Sequence, residues 1–202
     1  MSKTFTLRRA LSAGLAVFAA LSIAACSDSG DDGGHDMNSM ESESESATDA
    51  DFNDADVSFL QMMIPHHEQA VAMSDLAAAQ AEDPEVVDLA AQIAAAQQPE
   101  IDEMTGLLDE WGQSAEMEGH DGMSMSGMAT DAQMTELEAA HGADFDRLFV
   151  DLMIAHHQGA VDMAEEEQTE GQNAEAIALA DAIITAQTAE IETLEAIRTR
   201  LG

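Results

Sequence analysis

The 202-residue chain contains a single cysteine, Cys26, so it can form no internal disulfide and no thiolate cluster around a metal. Any metal it binds must be held by His, Met, Asp or Glu. Basic residues are almost as scarce: six Lys and Arg stand against 41 Asp and Glu, a formal net charge of −35. Three of the six, Lys3, Arg8 and Arg9, lie at the extreme N-terminus, which leaves Arg147, Arg198 and Arg200 against all 41 acids, a net charge of −38. Such a field repels nucleic acid and anionic lipid and gathers cations. It equally keeps an exported protein soluble. A basic patch, a glycine-rich phosphate loop and a Ser-His-Asp set are all missing, which counts against nucleic-acid, nucleotide and hydrolase functions. Strand-like alternation of apolar and polar residues is missing too.

Lys3, Arg8 and Arg9 precede an apolar run from Ala10 to Ala25, closed by Ile23-Ala24-Ala25-Cys26. That pattern predicts a signal peptide over residues 1–25, and the run is short for a membrane span. Its resemblance to bacterial lipoprotein signals implies cleavage before Cys26, acylation of the thiol, and anchoring on the outer face of the cell membrane. Arg8-Arg9 leave the general and twin-arginine export routes open. Residues 26–51 are Ser, Asp, Glu and Gly with almost nothing apolar, which predicts a disordered acidic tether; His35, Met37 and Met40 lie in it. A second low-complexity stretch, 113–129, spaces Met117, His120, Met123, Met125 and Met128 with glycines.

What the chain does contain is a unit stated twice. Met63-Ile64-Pro65-His66-His67 returns 90 positions later as Met153-Ile154-Ala155-His156-His157, and the same offset carries Phe59 onto Phe149, Ile93 onto Ile183, Gln97 onto Gln187 and Glu100 onto Glu190. In the first copy Phe59, Met63, His66, Ala70, Met73 and Ala77 recur at helical spacing. Asp83-Pro84 supplies an N-cap and a first-turn proline for a second helix with Leu89, Ile93, Ala96, Glu100, Met104, Leu107 and Trp111 on one face. The second copy repeats the plan, with Asn173 as cap. Thr130 and Gln133 form a capping box for a short extra helix. The expected fold is therefore an all-α four-helix bundle with internal two-fold pseudosymmetry. Residues 52–112 make the first hairpin, 113–129 the linker, and 130–202 the short helix and second hairpin, with 52–202 as one domain.

On this plan His66, Glu100, His156 and Glu190 converge near the bundle axis, with His67 and His157 at the edge of the stripe and Met63, Met73, Met104, Met153 and Met163 around them. Buried carboxylates need a proton, an imidazole or a metal. Pro65 and Pro99 are expected to interrupt and kink the first hairpin only, since Ala155 and Ala189 stand at the equivalent positions.

The doubled Met-Ile-x-His-His, with Asp56-Val57-Ser58-Phe59 and Asp144-Phe145-Asp146-Arg147-Leu148-Phe149 ahead of it and Gln-x-x-Glu-Ile behind, resembles the bacterial domain-of-unknown-function family 305 from Asp51 to Gly202. The resemblance implies an exported, ferritin-like four-helix bundle, and some members of that family are associated with copper handling. A Glu-x-x-His pair on the core faces, as in di-iron proteins, is missing here, against oxidase chemistry. Three functions compete. The first is metal binding, copper above other divalent metals, because thioethers select Cu(I) and imidazoles accept Cu(I), Cu(II) or Zn(II). The candidate ligands are His66, His67, Glu100, His156, His157, Glu190, Met63, Met73, Met153 and Met163, with Met117, His120, Met123, Met125 and Met128 of the linker. The second is a ferritin-like di-metal redox enzyme, which would need Glu68 or Asp102 to turn inward. The third is a metal-free envelope interaction module whose buried His–Glu pairs fix helix register.

Overall fold

The computed structural model describes residues 51–116 and 125–202, and every described element is helical. Four long helices, α1 (Asp54–Gln80), α2 (Pro84–Glu110), α4 (Ala143–Glu170) and α5 (Ala174–Leu201), pair as hairpins α1–α2 and α4–α5, with the short α3 (Asp131–Ala139) between them. The hairpins pack chiefly through α1 against α4. The signal peptide and Cys26, nearly all of the tether, and Met117, His120 and Met123 of the linker lie outside the described residues.

Local chemistry sets the boundaries. Asn53 and Asp56 cap α1 reciprocally, Asp83 caps α2 with Pro84 in its first turn, Thr130 and Gln133 form the box that opens α3, and Asn173 caps α5. Each cap satisfies amide protons that a helix start otherwise leaves bare. Neither Pro65 nor Pro99 interrupts its helix: α1 and α2 run through them unbroken. A proline forfeits one backbone hydrogen bond, and here the packed apolar residues on both sides of it hold the two halves in one element.

The core is divided. One apolar cluster joins Ala70, Met73 and Ala77 of α1 to Phe145, Phe149 and Met153 of α4, with the start of α2 and the end of α5. The other joins Phe59, Leu60, Met63 and Ile64 to Ala160, Met163 and Ala164, with the end of α2 and the start of α5. His66 and His67 fall between the two clusters along α1, and His156 and His157 fall between them along α4. A layer of four imidazoles, each fully buried, thus crosses the middle of the bundle.

Two buried aspartates fasten the hairpins to each other. Asp56 accepts from the backbone N–H groups of Gln172 and Asn173, in the α4–α5 turn, at 2.9 and 2.8 Å. Its repeat equivalent Asp146 accepts from those of Glu82 and Asp83, in the α1–α2 turn, at 3.2 and 3.0 Å.

Candidate metal centre

Consecutive residues on a helix point about 100° apart, so a His-His pair serves two neighbours at once. His66 faces across the hairpin interface, and its ring lies 3.7 Å, centroid to centroid, from that of His156. His67 turns toward its own hairpin partner and bonds Glu100 Oε2 through Nε2 at 2.8 Å; His157 does the same with Glu190 at 2.8 Å. The structure therefore corrects the expected convergence of Glu100 and Glu190 with His66 and His156 near the bundle axis. The glutamates belong to the second imidazole of each pair. They also stand at the rim of the core, with side chains 20% and 19% exposed. One turn earlier Gln97 and Gln187 are the buried residues, at 2% each, whereas Ala96 and Ala186 are exposed.

These bonds define the rings. A carboxylate can only accept, so Nε2 of His67 and of His157 carries the proton. Nε2 of His66 donates in the same way to the carbonyl of Ser126, at 3.1 Å. The Nδ1 atoms of all three rings, and both nitrogens of His156, have no hydrogen-bond partner. Metal-binding histidines commonly hand one N–H to a carboxylate or carbonyl and keep the other nitrogen for the ion. Burial also keeps the inner rings neutral. Desolvation, opposed by the Ser126 carbonyl, lowers His66 to about 4. Desolvation, reinforced by the neighbouring imidazoles, lowers His156 to about 2.

Met63 and Met153 each lie one turn before the inner histidine of their helix, and Met73 and Met163 lie further along; all four are buried in the apolar clusters that flank the layer. Among the described residues no three His, Asp or Glu side chains converge on one point. Glu68 and Asp102 are exposed and add no carboxylate to the layer.

The end of the methionine-rich linker is seated on this layer as a strap. Besides the Ser126 carbonyl on His66, Gln69 grips Ala129 twice, accepting from its N–H at 2.7 Å and donating to its carbonyl at 2.9 Å. Gly127, at φ +78°, passes so close to the α4 backbone at Ala155 and His156 that a side chain would collide, and Gly159 gives way to Ser126 in the same manner. Gln69 and Gly159 are equivalent positions of the two copies. Met125 and Met128 flank the contact and are half-buried. The spacing of methionines marks this segment in the sequence, but a backbone carbonyl on a histidine leaves no sequence signal.

The sequence model described as a domain of unknown function, DUF305, matches residues 56–198. A crystal structure described as a candidate secreted DUF305 protein from Streptomyces coelicolor is 33% identical, covers 73% of this chain and 94% of its own, and superposes with a TM-score of 0.69. CopM in its Cu(II)-bound form is 38% identical over 73% of this chain and 97% of its own, with a TM-score of 0.63. In its Cu(I)-bound form the values are 34%, 72%, 96% and 0.61. An uncharacterized protein, L153, of Acanthamoeba polyphaga mimivirus is 44% identical over 55 residues, which are 27% of this chain and 36% of that protein.

Proposed function

Because this chain belongs to the DUF305 family, in which CopM has been solved with Cu(I) and with Cu(II), we propose that it binds copper outside the cytoplasm, anchored through an acylated Cys26. The observation that carries this reading is the placement of the strap: a methionine-rich segment ends with Ser126 on His66, whose ring lies against a His156 that has no partner of its own. Thioethers of Met117, Met123, Met125 and Met128 would take up Cu(I), for which sulfur selects. His66 and His156 would hold it within the bundle. His67 and His157 orient the layer through Glu100 and Glu190, and Met63, Met73, Met153 and Met163 pack around it. Buffering or resistance follows more naturally than turnover.

The experiment is a Cu(I) titration of the mature protein without oxygen and a Cu(II) titration in air, with copper-edge spectroscopy to count sulfur against nitrogen ligands. Wild type, His66→Ala/His156→Ala and a deletion of 113–129 are compared. Both variants should lose Cu(I) stoichiometry, the deletion with loss of sulfur and the double variant with loss of nitrogen. Unchanged binding in both would refute the site. It would favour the second reading, supported by the 2.8 Å His67–Glu100 and His157–Glu190 bonds, in which the polar layer only specifies how the helices meet.

A further inference from the structure

Each of the four imidazoles is fully buried, so whatever reaches the layer has to pass a wall of the bundle. The wall over α1 and α4 is covered by the strap, where Gly127 lies on the α4 backbone and Gly159 on Ser126; backbone against backbone has no side chain that can swing aside. The seams within the hairpins are the most extensively packed of the fold. Between α2 and α5 the contact is sparse. A groove of about 550 Å³ runs there, with Leu89 and Gln92 on one side and Ala189, Thr193 and Ala196 on the other. Ala189, Thr193 and Ala196 are short and exposed, so they do not fill the space between the two helices.

Glu190 is the point at which this groove meets the layer. It lines the groove, its side chain is 19% exposed, and its Oε2 accepts the Nε2–H of the buried His157 at 2.8 Å. From His157 the rings continue inward: His156 follows at 6.2 Å between centroids and His66 at a further 3.7 Å. His157 Nδ1 and both nitrogens of His156 have no hydrogen-bond partner, so no existing bond has to be broken at those atoms. Glu100 makes the same bond to His67, yet it does not line the groove. The copies differ around these glutamates, with Thr193 and Arg200 where the first copy has Glu103 and Glu110.

We propose that the α2–α5 groove is the entrance through which a metal cation reaches the imidazole layer, with Glu190 at its inner end and His157 as the first ring met. The cargo rests on the copper reading; the path rests on the groove. Glu85, Asp88 and Glu190 give the lining three carboxylates, and the one base among the lining residues, Arg200, is already paired with Asp83 and Glu85. Such a lining concentrates cations and turns anions away. Until a cation arrives, Glu190 positions His157 by holding its N–H. A cation at the carboxylate competes with that N–H and so loosens the ring that stands between the groove and His156.

The test uses the mature protein and two charge-neutral variants, their helicity checked by circular dichroism. Thr193→Leu/Ala196→Leu fills the groove without touching Glu190. Gly106→Leu/Ala182→Leu, the control, adds bulk at the repeat equivalents of Ala196 and Gln92, and a Cβ at Gly106 meets nothing within 4 Å. Metal-free protein is treated with diethyl pyrocarbonate, which acylates neutral imidazole, and each histidine is followed by fragment mass spectrometry. His157 should react ahead of His66, His67 and His156, and filling the groove should slow it severalfold while the control reacts at the wild-type rate. Stopped-flow mixing with Cu(II) should show association about tenfold slower in the groove variant, within the spread of on-rates among variants of one interface. Its Kd should be unchanged, because dissociation slows along the same path. If wild type takes up no copper the copper reading fails, and the order of acylation still decides the path. His67 reacting ahead of His157, equal slowing in both variants, or a groove variant that loses affinity rather than rate, overturns the entrance.

Discussion

A histidine that stays neutral inside a protein is a liability in acid, and here the two inner rings make that measurable. The unfolded chain titrates near the ordinary 6.5, while folding lowers His66 to about 4 and His156 to about 2. Below 6.5 the unfolded state therefore binds more protons than the folded one, and stability falls as pH drops, by up to about 1.4 kcal/mol per pH unit for each ring. For His66 the loss ends near its folded value of about 4. Urea midpoints of copper-free protein should decline between pH 6.5 and 4, and His66→Leu/His156→Leu should decline less steeply. Identical slopes would mean that the rings are not buried as neutral imidazoles. Which partner each ring takes was not legible in the sequence. Periodicity reports that a residue lies on an inward stripe; it does not say whether that part of the stripe meets the hairpin partner or the opposite hairpin, and the two answers differ by one residue, His66 or His67.

Among the elements, the helices were legible because their signals are local. Asp83-Pro84, Asn173 and the Thr130–Gln133 box each name a helix start, and the three- and four-residue spacing names the buried face. The strap over His66 was not, because its seat is made of backbone: a carbonyl on an imidazole, two bonds from one glutamine amide, and a glycine against a glycine. Its hold should be brittle for that reason. A methyl at residue 159 meets the Ser126 carbonyl, so Gly159→Ala should lift residues 125–129 from α4, and Gln69→Ala should release Ala129 at a cost of about 1–3 kcal/mol for the buried groups left unpaired. Hydrogen exchange should report both, as faster exchange of Gly127 to Ala129 with α1 and α4 still protected. Unchanged protection in both variants would show that the strap is held by something else.

Across the whole molecule the two halves are fastened reciprocally: Asp56 of the first copy holds the turn of the second, and Asp146 of the second holds the turn of the first. Arg200, near the end of α5, adds ion pairs to Asp83 and Glu85 at the start of α2. Removing either aspartate takes the acceptor from amides of turn residues that are themselves exposed or half-buried. Asp56→Ala and Asp146→Ala should each lose about 1.5–3 kcal/mol per charged hydrogen bond broken, discounted where the turn can reach water, and each variant should still unfold in a single urea transition. Two separate transitions would show hairpins that stand alone. The pseudosymmetric bundle itself was readable from the 90-residue offset, whereas these fasteners look in the sequence like ordinary acids in a first helical turn. The same offset places Gln69 opposite Gly159, and the strap needs both: an amide on one side and an empty space on the other. A dimer of identical hairpins could not provide that, since two-fold symmetry would give it two glutamines or two glycines. Joining the copies in one chain frees the paired positions to differ, and the connection that joins them becomes the part they hold.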